Sequence, residues 1–597
     1  MLIQALCEYH DILEKNRKIH SAEYDKEKID YLILLNDDGT IKNVQDYEQC
    51  LEFPKREKST HIISYLIDYR PAYIFGIEYN KKSKSFEVNN KKHKAFLDKH
   101  INFIEDIYTP IVNAFRNFIL NWDPEVETEN ELIKKTNNKK CAFCLASDVT
   151  ILLNEDEQIK EKFIKEFSQK DTQYDYKAQC AIYGKELPIA RLHDNIKGIR
   201  DAQKSGANIV SYNNNAFTSY GYEQSYNSNI SELAMQKYTR ALNYIISNGQ
   251  TEYLDGLSML YWATSSKNTY VDLFSIIINP NKPSLDEAST SNMIKSLLED
   301  VCSGSLNYKQ LNSISEIDPN VSFYILGIKP NDSRLSIAFL YRQKFGEILQ
   351  NIAQHQKDMQ ISNDNKVIPL WRIIVELKSP KASKTKTPDA YKKSLIDSII
   401  LGVQYPKSIL AQIIIRIKTD SDEKDEEGNT ISHKINKIRA GMIKACLNRN
   451  SRLNHKEEEI TMALNTENKD PAYLCGRLLA ILEKIQLSAQ PGLNRTIVDS
   501  YFSTATTKPD AVFPKLIKLS QFHLIHLRKI NDRLRIWFEK QIGDVLDSLD
   551  GQFPGRLSLQ DQGKFILGYY QQREVLFAKK DKDEDSNILE GETENDQ

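Results

Sequence analysis

The sequence predicts an α+β protein, with a mixed α/β N-terminal region followed by a C-terminal all-α helical bundle. Three observations carry that prediction. Up to about residue 380, short apolar runs bounded by Asp, Asn and Gly alternate with helical periodicities. After Ser394 the apolar spacing is helical almost throughout. The 597 residues, 40% of them hydrophobic, supply several cores, because domains run to about 100–200 residues.

Leu2, Leu6, Tyr9 and Leu13 recur every three to four residues, the period of a helix with one buried face. Tyr31-Leu32-Ile33-Leu34-Leu35 and Ile41-Lys42-Asn43-Val44 then flank Asn36-Asp37-Asp38-Gly39-Thr40. An Asp-Gly between apolar runs signals a hairpin, because Gly tolerates the positive φ of a tight primed turn. Asp37 and Asp38 therefore read as turn residues rather than metal ligands. Strand-like runs follow at 72–79, 142–153 and 257–263, and helical periodicities at 396–401, 408–417, 434–447, 471–487 and 514–542. Residues 420–429 are a charge run with no apolar residue, read as an exposed loop. The expected division is a mixed region over 1–393, a helical connector and acidic linker over 394–429, a helical bundle over 430–577, and an acidic tail over 578–597. That tail is expected to be disordered, because it has too little apolar surface to offset its ordering entropy.

The balance of 80 Lys+Arg against 82 Asp+Glu gives no global case for binding nucleic acid, so any such role must rest on local patches. The eight cysteines are scattered and mostly in apolar stretches, which points to a reducing, cytoplasmic setting. The N-terminus lacks the features of a signal peptide, and no apolar run approaches the roughly 18–20 residues of a membrane span. Phosphate-binding, dinucleotide, nucleophile-elbow and zinc-protease signatures are missing, so no catalytic residue, metal or cofactor is expected. Cys141 and Cys144, with Cys180 and His193 as distant partners, read as core packing, and His523 and His526 as helix surface or interface.

The most unusual composition lies between 192 and 229. It opens with His193, Lys197, Arg200 and Lys204 and continues through Tyr212, Asn213, Asn214, Asn215, Phe217, Ser219, Tyr220, Tyr222, Gln224 and Asn227. Cations neutralise phosphate, amides donate and accept at base edges, and aromatic rings stack on bases. A loop packed on its own protein has the same composition. A second candidate is the segment 515–540, with Lys515, Lys518, Arg528, Lys529, Arg533, Arg535 and Lys540 against Asp532 and Glu539. Its apolar positions Leu516, Leu519, Leu527, Ile530, Leu534 and Trp537 keep a helical spacing, so one face should pack while the other presents positive charge to a phosphate backbone. Other clusters, at Lys81, Lys82 and Lys84, at Lys91, Lys92, His93 and Lys94, at Lys134, Lys135, Lys139 and Lys140, and at Lys378, Lys381, Lys384 and Lys386, read as solvated faces.

Several collinear motifs carry a family resemblance. They are Pro188-Ile189-Ala190-Arg191-Leu192-His193 with Lys197-Gly198-Ile199-Arg200, Ser211-Tyr212-Asn213 with Ala216-Phe217 and Ser219-Tyr220-Gly221, and Phe323-Tyr324-Ile325-Leu326-Gly327-Ile328-Lys329-Pro330-Asn331 with Arg334-Leu335-Ser336. They continue with Asn465, Pro471-Ala472-Tyr473-Leu474 and Gly476-Arg477-Leu478, then Leu557-Ser558-Leu559, Gln562-Gly563 and Gly568-Tyr569-Tyr570-Gln571-Gln572-Arg573. Together they resemble, from about Leu2 to Phe577, the large subunit of the type I-C CRISPR Cascade complex, of the Cas8 superfamily. The chain departs from the family pattern at Asp68-Tyr69-Arg70-Pro71-Ala72 and at Tyr212-Asn213.

The resemblance implies a non-enzymatic subunit of an RNA-guided surveillance complex acting in antiviral defence. Its N-terminal region would sit at the crRNA 5′-handle end, read the protospacer-adjacent motif in double-stranded target DNA, and help form the R-loop. Its C-terminal bundle would contact DNA, including the displaced non-target strand. Implied partners are the crRNA, the backbone, 5′-handle and small Cascade subunits, and the CRISPR helicase-nuclease. Guide pairing reads the target while protein reads only the adjacent motif, a division set out for another effector class. An internal translation start at Met462 would yield a separate small subunit. Two other readings compete, a metal-dependent nuclease built around Asp37 and Asp38, and a scaffold that touches no bases.

Overall fold

The computed structural model describes residues 2–19, 24–54, 62–80, 83–169, 176–280, 292–306, 317–362, 367–379, 385–424, 430–455, 459–493 and 495–578. The chain forms two compact units, one built from 1–197 with 208–244 and the other from 198–207 with 245–597. The fold is α+β. The expected acidic tail beyond Ala578, with Lys81, Lys82, Lys381, Lys384 and residues 425–429, lies outside the described residues.

The first unit opens with the predicted helix, Leu2–Lys15, which buries Leu6, Tyr9 and Leu13. Strands β1 (Tyr24–Leu35) and β2 (Ile41–Pro54) form the antiparallel hairpin the Asp-Gly signal announced. Five residues join them rather than the two of a primed turn. Asn36 N donates to Thr40 O at 3.0 Å, and Asp38 Oδ1 accepts from the Thr40 amide at 2.9 Å and hydroxyl at 2.6 Å. Gly39 has φ +87°, and a Cβ there would lie 2.3 Å from the Phe118 backbone nitrogen, so backbone conformation and space both require glycine.

The run at 72–79 is not one strand. Pro71 opens a short helix, Pro71–Ile74, because its fixed φ suits a first helical turn, and Gly76 then releases the chain into β3 (Ile77–Asn80), which pairs with β4 (Ser85–Val88). Strand β5 (Cys141–Leu145) ends early as well, because Asp148 accepts from the Thr150 amide and hydroxyl and turns the chain. It runs parallel to β1, giving the sheet order β2-β1-β5. Such a pairing needs a long crossover, which includes the helices Asn90–Phe103 and Pro110–Asn121. Cys141 and Cys144 are buried in that sheet's core, as read from the apolar run. The unit closes on β6 (Lys177–Gln179), β7 (Glu186–Pro188) and the helix Glu232–Ser247.

In the second unit β8 (Thr251–Leu254), β9 (Leu257–Ala263), β10 (Ser322–Asn331) and β11 (Arg334–Lys344) form an antiparallel sheet in the order β11-β10-β9-β8. The motifs from Phe323 to Ser336 are thus its β10–β11 hairpin. One continuous apolar core joins this sheet to the helices that follow, from Leu254 to Tyr570. Helix Pro471–Ala489 crosses helix Leu559–Phe577 at two glycines. A Cβ on Gly476 would lie 1.9 Å from Phe565 O, and one on Gly568 2.2 Å from Tyr473 O. The contact is sewn by Tyr473 Oη donating to Gln571 Oε1 (2.6 Å), Arg477 Nε to Gln572 Oε1 (3.0 Å) and Tyr569 Oη to Glu483 Oε2 (2.6 Å). The motifs around Tyr473 and Gly568 are therefore packing motifs.

Two expectations for the C-terminal region change. The periodicity at 514–542 belongs to two helices, Pro509–Ile530 and Asp532–Ser548, because Asn531 leaves the helical conformation and its side chain accepts from Leu534 N as the second helix's cap. The charge run at 420–429 is not solvated at its start. Asp420 is buried between Arg439 (2.8 Å) and Arg416 (3.2 Å), and Asp422 accepts from His433 and from the Lys434 amide.

Candidate nucleic-acid interface

The amide-rich segment is a surface loop whose base is pinned on both sides. Ile189 bridges to Ser231, Ala190 N donates to Ile230 O, and buried Ser225 donates its amide to Arg191 O at 3.1 Å. At its entrance His193 is buried against Tyr238, with Nδ1 2.6 Å from the tyrosine oxygen, and burial holds its pKa down at about 4, so the ring is neutral. Asn208 Nδ2 donates to the carbonyls of His193 (2.8 Å) and Asp194 (3.1 Å).

Within the loop, side-chain amides do the folding. Asn214 Oδ1 caps a short 3₁₀ turn by accepting from Ala216 N at 3.1 Å. Asn227 uses both ends of its amide, with Oδ1 accepting from Ser219 N (2.8 Å) and Nδ2 donating to Tyr222 O (2.9 Å) and Gln224 O (2.8 Å). Gln224 Oε1 accepts from Arg191 Nε at 2.8 Å. Tyr222 and Tyr226 lean on Tyr176, with ring centroids 5.8 and 4.9 Å from it. Asn214, Gln224 and Asn227, expected as base readers, are engaged in building the loop.

The loop projects Asn213, Asn215, Phe217, Ser219 and Tyr220 into solvent, with Tyr212 half-buried behind them. Tyr220 is 99% exposed and its φ is +53°, a left-handed conformation that L side chains adopt at a cost of roughly 1–2 kcal/mol. Gly221 continues the left-handed turn at φ +76°. An aromatic ring is thus carried into water on strained backbone, by neighbours that hold the strain in place. Lys197 is exposed in the same unit, and its amide donates to Asn243 Oδ1.

The cations Arg200 and Lys204 belong to the second unit and are both exposed. Arg200 stacks 4.1 Å over the ring of Tyr253, whose hydroxyl donates to Asp201 Oδ2 at 2.8 Å. Lys386, expected on a solvated face, also reaches Asp201 at 2.8 Å, and these two donors hold the Asp201 carboxyl below its ordinary range. Lys134 is likewise paired, with Glu129 and Glu131, and Lys140 with Glu27.

On the basic helices, Arg528, Lys529 and Arg533 are exposed. Arg535 instead pairs along its own helix with Asp532 at 2.6 Å and Glu539 at 2.7 Å. Ile530 and Trp537, expected to pack, are 61% and 44% exposed; Ile530 ends the first helix, and beyond the break at Asn531 the second helix buries Phe538, Ile542 and Val545 instead of Trp537. The exposed surface is mixed apolar and basic.

Two residues anchor the loop: Arg191, legible in the sequence only as a member of the Pro188–His193 motif, and Tyr176, which no spacing ties to the loop. Sequence reasoning passed over Arg70, whose guanidinium lies 3.5 and 3.7 Å from the rings of Tyr65 and Tyr73 and is paired with buried Asp68 at 2.6 Å. The departing segment Asp68–Ala72 was the available signal. Among the described residues, His10, Asp11 and Glu14 are close enough to share a cation, but the Lys237 ammonium already sits 2.6 Å from Asp11. No described helix is long and apolar enough to cross a membrane.

No curated protein matches the chain. A family model described as CRISPR-associated protein (Cas_Csd1) matches residues 6–577, nearly the whole sequence and the span over which the collinear motifs run. The chain therefore belongs to the Cas_Csd1 family of CRISPR-associated proteins.

Proposed function

We propose that this chain is a non-catalytic large subunit of a type I-C surveillance complex that recognises the protospacer-adjacent motif in duplex DNA through the loop from Tyr212 to Asn227. The observation that carries this reading is Tyr220, an aromatic side chain held in water on left-handed backbone by the Asn227 clamp. Such a ring stacks on bases without sequence preference, while exposed Asn215 in the same loop offers the donors and acceptors that distinguish base edges. Lys197, Arg200, Lys204, Arg528, Lys529 and Arg533 add phosphate contacts that position the duplex and the displaced strand. The family supports association with sister Cascade subunits, and on this reading the crRNA and the helicase-nuclease that follows R-loop formation are the further partners.

The test is binding of the reconstituted complex, with crRNA and sister subunits, to duplex targets carrying a randomised adjacent motif, with and without this chain. Motif-dependent binding should disappear without the chain. It should weaken by about 1–3 kcal/mol when Asn215 or Tyr220 becomes alanine. Motif preference that persists unchanged without the chain would overturn the reading in favour of a scaffold.

A further inference from the structure

Two helix faces of the second unit leave apolar side chains in solvent between cations. On Pro509–Ile530, Lys518, Phe522, Ile525 and Lys529 recur at four, three and four residues, a stripe about 17 Å long on the side opposite buried Leu516, Ser520 and Leu527. Phe522 is 65% and Ile525 60% exposed. Arg533, Ile536, Trp537 and Lys540 repeat the arrangement on Asp532–Ser548. Contiguous exposed apolar groups of this kind mark a surface that something covers.

The chain carries the complementary pattern beyond the described residues. Asp583, Glu584 and Asp585 precede Ile588 and Leu589, and Glu590, Glu592, Glu594 and Asp596 follow, with no Lys or Arg after Lys582. An apolar pair between cations thus has, in the same molecule, an apolar pair between acids. A second copy of the stripe would set lysine against lysine, which disfavours self-association through this face.

We propose that residues 583–594 dock on the exposed stripe of the Pro509–Ile530 helix of their own chain. Ile588 and Leu589 lie against Phe522 and Ile525, and the flanking carboxylates lie against Lys518 and Lys529. The tail's own composition cannot offset its ordering, so Phe522 and Ile525 supply the missing apolar surface and charge orients the segment. The reach is of the same order as the largest separation the helices allow. Phe565 lies twelve residues before Phe577 on one helix, about 18 Å. Its ring is 6.4 Å from that of Phe513, across helix axes about 8–10 Å apart. Phe522 lies nine residues beyond Phe513, about 14 Å. These legs bound the separation of Phe577 from Phe522 at about 41 Å, while the eleven residues to Ile588 span up to about 38 Å before side chains are added. The docking and the phosphate contact proposed for Lys529 compete for one ammonium, so the docking is tested on protein free of nucleic acid.

Zero-length carbodiimide crosslinking tests it on dilute full-length protein, mixing isotopically light and heavy chains and reading the links by mass spectrometry. Links from Lys518 or Lys529 to Glu590 or Glu592 should form within single chains. They should fall about tenfold, equivalent to about 1.4 kcal/mol, in a chain carrying Ile588→Ser and Leu589→Ser, which keeps every charge. Phe522→Ser, at an exposed position, should give the same loss from the other side. Mixed light–heavy links, links spread evenly over the surface lysines, or an unchanged yield in either variant would overturn the proposal.

Discussion

The loop at 212–227 and the helices at 509–548 bring their side chains to solvent in opposite ways. In the loop, polar side chains fold the backbone and a few groups project, whereas on the helices the backbone is satisfied internally and the side chains face outward. The comparison teaches that an amide-rich composition overstates the number of available readers, because an irregular segment must satisfy its own backbone groups. A helix carries no such demand outside its ends.

The largest separation of the two regions is expected in acid. His10, His100 and His193, all in the first unit, are held by burial at about 4, below the 6.5 of an exposed histidine. The unfolded chain binds protons that these folded-state rings refuse, so stability falls as pH drops from about 6.5 towards 4. The loss is about 2 kcal/mol per histidine at pH 5. His355, held at about 3, is the corresponding ring of the second unit. Hydrogen exchange followed from pH 7 to 5 should open the first unit, including the base of the loop at His193, before the 509–548 helices. Opening in the reverse order would break the contrast.

Removing Arg528, Lys529 and Arg533 together should weaken binding of the complex to all DNA sequences alike and lower the salt slope by up to about 3, since each phosphate contact contributes about 0.9. A loss confined to one adjacent motif would reassign that helix. Asn227→Ala should leave global unfolding nearly unchanged but release residues 219–227, with a loss of about 1–3 kcal/mol in motif-dependent binding. Exchange rates at Ser219 and binding to motif-bearing targets check the two halves. Tyr220→Gly should relieve about 1 kcal/mol of backbone strain while removing the ring, so stability rises as affinity falls. A variant that loses both would show the ring to be structural. The smallest effect belongs to Arg535→Ala, nearly neutral in thermal unfolding and near zero in salt slope, because its charge is already paired on an exposed helix surface.

The sequence by itself determined which residues share a face and where the chain turns. The Leu2–Lys15 helix, the Asp-Gly hairpin, the burial of Cys141 and Cys144 and the helical C-terminal region all follow from local periodicity and turn chemistry, and the collinear motifs carried the family. Tertiary structure decided what each face meets. Periodicity placed Ile530 and Trp537 on an apolar stripe, but the break at Asn531 gave the second helix a different buried face. Composition placed Asp420 in solvent, but Arg439, from a helix seventeen residues further on, drew it inside. In the loop, Asn215 and Asn227 are the same residue type, and only the fold made one a projecting group and the other a clamp. An amide serves a backbone or a base with the same atoms, so the choice rests on what long-range packing brings within hydrogen-bond distance.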